Sequence, residues 1–95
     1  MFLLLLTYNA PVEKIDELLD EHVAWLDEQY AAGVFLASGR KVPRTGGVIL
    51  AAGVDRDGLE AIATADPFWR EGVASFEIVE FTATKAAPEL TALIE

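Results

Sequence analysis

Residues 2–8, FLLLLTY, are apolar on both faces of an extended strand, and residues 47–54, GVILAAGV, repeat the pattern in the second half of the chain. A strand with one solvated face alternates polar and apolar side chains, whereas one that does not alternate must be covered on both sides. Two such segments in 95 residues predict two central strands of a single sheet, with something packed against each face. Asn9-Ala10-Pro11 ends the first of them.

The intervening segments supply partners for these strands. Residues 12–32 have the period of an amphipathic helix, stopped by Gly33 at a C-cap position. VFLASGRK, residues 34–41, reads as a strand of mixed faces, and VPRTG, 42–46, as a reversal that leaves Gly46-Gly47 in a hairpin turn. Residues 55–65 form a shorter helix with Leu59, Ile62 and Ala63 inward; 66–72 is a punctuated turn, and 73–83 a last strand. The tail from Thr84 is an extension in which Pro88 is placed to open a terminal helical turn. The order β-α-β-β-α-β is the ferredoxin-like split βαβ arrangement of an α+β domain, in which the first and third strands are the inner pair. These are the two doubly apolar segments. The expectation is one domain over residues 1–95, with its core in 1–83 and an extension from 84 to 95.

Helices cover only one face of such a sheet, so the apolar side chains of the other face need a cover. A hydrophobic fraction of 53% is high for so short a chain, and a second copy packed sheet to sheet is the simplest cover, giving a homodimer. A formal net charge of −9 argues against nucleic acid and anionic membrane surfaces as partners. The absence of cysteine removes disulfides, thiolate nucleophiles and Cys-type metal sites. MFLLLLTY has no basic segment before it and is too short to span a bilayer, so the expectation is a cytoplasmic protein.

The first helix holds the only histidine. On a helical wheel Ile15, Leu18, Leu19, Val23, Trp25, Leu26 and Tyr30 share an arc, and His22 falls in its middle. An imidazole there costs free energy unless its nitrogens find partners or it faces a cavity. The plain reading is a core or interface histidine bonded to backbone; the functional one is a general acid or base lining a pocket. Asp66 before Pro67 is ordinary helix-start chemistry, although a carboxylate has acceptor sites enough to orient His22 as well. Arg40, Lys41 and Arg44, with Ser38 before them, either bind a substrate anion or form a solvated hairpin edge. Phe68 and Trp69, like Trp25 and Tyr30, read as core or interface aromatics, although Phe68 and Trp69 beside Asp66 are also placed to wall a pocket. The acids Asp16, Asp20 and Asp27 point away from His22, so the signal for a metal is weak and none is expected; without a Gly-rich phosphate loop or dinucleotide fingerprint, no organic cofactor is expected either.

Glu21-His22 followed by Trp25-Leu26, Ala37-Ser38-Gly39 closing the second strand, and Asp66-Pro67-Phe68 with Gly72 soon after make the chain resemble the YciI-like, or YCII-related, domain family from Met1 to about Phe81. The resemblance implies a dimeric α+β barrel and an active-site pair of histidine and aspartate, by position His22 and Asp66. A chlorohydroxyquinol dehydrochlorinase among the relatives implies proton abstraction and elimination on a small polar or aromatic compound. The chain departs from the family at Arg40, where many relatives have proline, and at Leu18 and Leu19, near where many carry arginine. The expected site is therefore His22 and Asp66 as catalytic pair with Ser38, Arg40 and Phe68 against a small-molecule substrate. The alternative is a non-catalytic dimeric module that binds a ligand or accompanies a regulator.

Overall fold

A computed structural model describes residues 1–95. Four strands, β1 (Phe2–Tyr8), β2 (Phe35–Arg40), β3 (Gly46–Ala51) and β4 (Ala74–Glu80), form one antiparallel sheet in the order β2-β3-β1-β4. The two doubly apolar segments are its inner strands, as the sequence leads one to expect, and the topology is the ferredoxin-like one.

Register divides the residues between the faces. Leu4 pairs with Ile49 and Ile78, and Leu6 with Gly47 and Phe76, so even-numbered residues of β1 point toward the helices. Phe2, Leu4, Leu6, Ile49 and Ala51 are buried there with Trp25, Phe35 and Leu59 in the main core. Leu3 and Leu5, paired with Leu50 and Val48, form an apolar patch on the opposite face, which no helix covers; all four are half-buried.

The expected single helix over 12–32 is two: α1 (Val12–Glu17) and α2 (Leu19–Ala31). Neither proline nor glycine marks the break. Leu18 leaves helical geometry at φ −103° and ψ 2°, and the reason is tertiary. Ile15 packs with Phe68, Val73 and Ala74 in a second buried cluster, while Trp25 packs in the main core; one straight helix would not serve both. Downstream, Gly33 at φ +77° ends α2, with Gly33 N–H on the Tyr30 carbonyl and Val34 N–H on that of Gln29, the paired bonds of a Schellman cap. Helix α3 (Arg56–Thr64) starts at Asp55, whose side chain accepts from Gly58 N–H at 2.7 Å.

Residues 66–72, expected as a turn, contain a further short helix, α4 (Pro67–Arg70). Asp66 caps its start, and Gly72 ends it at φ +72°. The tail winds into a 3₁₀ turn over Pro88–Leu93, and Glu95 returns to the Met1 amine at 2.7 Å. That ion pair, with the Ala83 N–H, holds the Glu95 carboxyl below its ordinary pKa. No helix is long and apolar enough to cross a membrane.

Gly46 and Gly47 belong to β3 rather than to the hairpin turn. Gly46 sits opposite Thr7, and a Cβ there would overlap the carbonyl oxygen of Leu6. We predict that Gly46→Ala destabilises the fold by about 3 kcal/mol, the upper part of the overpacking range. Gly39→Ala, with open space around it, should stay within about 0.5 kcal/mol of wild type. Urea unfolding of the two variants measures the difference.

Candidate functional site

Asp66 is the one charged side chain in the interior, 1% exposed. Its Oδ1 accepts from the backbone N–H of Phe68 at 3.0 Å, closing the cap of α4, and lies 2.8 Å from His22 Nδ1. Capping and pairing therefore coexist on a single oxygen. The other, Oδ2, is buried without a protein partner. An ionised carboxylate only accepts hydrogen bonds, so with Asp66 ionised the imidazole proton sits on Nδ1 and points at it. In the neutral ring this leaves Nε2 as the basic nitrogen.

Two elements hold the imidazole. Helix α2 supplies His22, α4 supplies Phe68, whose ring stacks on the imidazole at 3.9 Å and 6° between planes, and Trp25 lies one turn on at 5.3 Å. Trp25 is itself fixed through Nε1–H on the Ile62 carbonyl at 3.0 Å. With its side chain 13% exposed, His22 reaches the surface of a cleft between α2 and strands β1, β2 and β3.

The cleft encloses about 160 Å³ and is lined by Leu19, Val23 and Leu26 from α2, Leu6 and Tyr8 from β1, and Phe68. Ser38, Gly39 and Arg40 of β2 line it from the other side. His22, Ser38, Arg40 and Phe68 thus share one cavity; Asp66 lies behind His22 and does not line it. Ser38 Oγ accepts from the Tyr30 hydroxyl at 2.6 Å, which ties the end of α2 to β2.

The basic group expected around the hairpin is divided. Arg40 lines the cleft without an ion-pair partner. Lys41 donates to Thr7 Oγ1 at 3.2 Å, and Arg44 pairs with Asp16 at 2.7 Å. Val23, 43% exposed, lines the cleft rather than the core; Tyr30, 38% exposed, meets it only through Ser38; and Trp69, 42% exposed, packs against Phe76 and does not wall the cleft. Nowhere do three His, Asp or Glu side chains converge as a metal cluster would require. Tyr8 is a lining residue that sequence reasoning passed over. Its signal is parity, since it shares the helix-facing register of Phe2, Leu4 and Leu6.

The model of the YCII-related domain matches residues 1–82. The fold is shared with solved structures, among them the 5-chloro-2-hydroxyhydroquinone dehydrochlorinase of Burkholderia phenoliruptrix, determined in complex with 2,5-dihydroxybenzoquinone. The TM-score is 0.72 at 16% identity, covering 87% of this chain and 95% of that one. At that identity the likeness is one of fold. No curated protein matches the chain significantly by sequence.

Asp66→Ala should remove the cap, worth about 1 kcal/mol, together with the bond to the imidazole, for a total loss of about 2–4 kcal/mol. Because the chain has one histidine, its ¹⁵N spectrum reports the tautomer directly. We expect protonation on Nδ1 in the wild type and a shift toward Nε2–H in Asp66→Ala. An unchanged spectrum would reduce Asp66 to a helix cap.

Proposed function

The chain belongs to the YCII-related domain family, and from that membership and its cleft we propose a small-molecule enzyme in which His22, oriented by Asp66, moves a proton without a cofactor. The observation behind this reading is the 2.8 Å contact between His22 Nδ1 and a buried carboxylate, which leaves Nε2 for the cleft. Asp66 would stabilise the imidazolium that forms when Nε2 takes a proton, as a carboxylate does in a catalytic pair. In an elimination the electron pair left behind forms the new double bond, and the leaving group departs with its own pair as an anion. The imidazolium then returns its proton to solvent.

The size of the cleft limits the substrate. A cavity of about 150 Å³ lined by aliphatic and aromatic side chains holds benzene, so about 160 Å³ suits one ring or a short polar chain. Phe68 would wall such a molecule, Arg40 would meet a negatively charged oxygen at the mouth, and Ser38 retains a hydroxyl proton to donate. The dehydrochlorinase that shares the fold acts, by its name, on a chlorinated hydroxyhydroquinone, which favours hydroxylated and halogenated rings as the first compounds to try. The reading also has two copies joined through the open sheet face that bears Leu3, Leu5, Val48 and Leu50, and the cytoplasm as the place of action.

A panel of such rings, followed by halide release and by deuterium exchange from solvent, tests the proposal. His22→Asn is expected to lower turnover about 10²- to 10⁴-fold, the usual contribution of a positioned acid or base, in a protein that remains folded. Turnover indifferent to the imidazole would leave the ligand-binding module as the better account.

A further inference from the structure

Tyr8, the last residue of β1, lines the same cleft as His22. Its ring meets Phe68 edge-on, with centroids 6.1 Å apart and planes at 90°, and Phe68 is the ring on which His22 stacks. Its backbone N–H donates to the Thr45 carbonyl at 2.8 Å, which ties it to the hairpin carrying Arg44. Arg44 donates to Asp16 Oδ1 at 2.7 Å. The bond to Asp16 is the main reason the guanidinium pKa is raised; desolvation opposes it, and Tyr8 adds to it.

A guanidinium has donors and no acceptor. Arg44 therefore cannot take the Tyr8 O–H, which is left for an acceptor in the cleft. The surroundings favour a negatively charged one. The chain has 16 acidic residues, yet no carboxylate lines the cleft, whose polar side chains are Tyr8, His22, Ser38 and Arg40.

We propose that Tyr8 is a second catalytic residue, whose O–H hydrogen-bonds the substrate oxygen on which negative charge gathers as His22 takes a proton, with Arg44 and Asp16 as positioning residues. The assignment rests on the acid/base reading of His22. The substrate proton passes to Nε2, the electron pair of the broken bond gathers on the oxygen that accepts from Tyr8, and from there it forms the double bond as the leaving group departs with its own pair, so that no proton need leave the phenol. A donor fixed in place before the reaction stabilises that charge without reorganisation at the moment of transfer.

The probe is 4-nitrophenolate, a single ring with one oxyanion, whose visible absorption moves when a donor engages the oxygen. Wild-type protein is expected to bind it with a spectral shift. Tyr8→Phe keeps the ring and its contact with Phe68, and should weaken binding about ten- to hundred-fold and lose the shift at an unchanged thermal midpoint. Arg44→Gln should weaken binding less, and add nothing once Tyr8 is phenylalanine, because it acts through the phenol. Equal affinity in Tyr8→Phe, or a wild-type protein that does not bind the phenolate, overturns the assignment. His22→Asn should bind the phenolate and fail in turnover, so the two readings fail on different measurements.

Discussion

One carboxylate oxygen joins the two halves of the site. Asp66 Oδ1 accepts from Phe68 N–H and from His22, so the bond that starts α4 also sets the direction of the imidazole on α2. A buried carboxylate with two hydrogen bonds on one oxygen and none on the other is expensive, and a chain selected for stability alone would place an apolar side chain there. The stacking of His22 on Phe68 follows from the same geometry, because Phe68 is held two residues beyond Asp66 by the cap itself. Helix α1 depends on it too, since Ile15 packs against the buried side of Phe68.

Charge is arranged around the cleft in a way the net figure conceals. An overall charge of −9 would repel an anionic substrate at long range, and salt screens that repulsion within about 10 Å at 0.1 M ionic strength. Inside the cleft no side chain is acidic, and Arg40 stands at its mouth without an ion-pair partner. Asp16 is paired with Arg44. The acidic surface therefore weakens encounter without cancelling the local preference for negative charge.

Much of this is legible in the chain. The doubly apolar runs identify β1 and β3 as inner strands, since a solvated face would demand alternation, and His22 stands out as a polar residue on an apolar arc. That His22 and Asp66 meet is not legible from spacing, because they are 44 positions apart and the sheet order brings them together. The break at Leu18 leaves no local signal because its cause is two burial directions, toward Phe68 and toward the main core. Asp66-Pro67 announces a helix start, yet Gly72 follows so closely that the helix lasts one turn and reads as a loop. Arg40 and Arg44 look equivalent in sequence; only the approach of α1 to the hairpin gives Arg44 to Asp16 and leaves Arg40 to the cleft.

The two faces of β1 separate chemistry from the apolar back of the sheet. Leu6 and Tyr8 face the cleft, while Leu3 and Leu5 face the uncovered side. A slip of one residue would exchange the sets, placing Thr7 against the imidazole and Tyr8 on the apolar patch. Gly46 guards against it, because the backbone of β3 comes so near Leu6 and Thr7 that only a residue without Cβ fits. Hydrogen bonds reinforce that register at the strand end, from Tyr8 N–H to Thr45 and from Lys41 to Thr7. A glycine whose backbone lines the cleft thus decides which side chains the site contains.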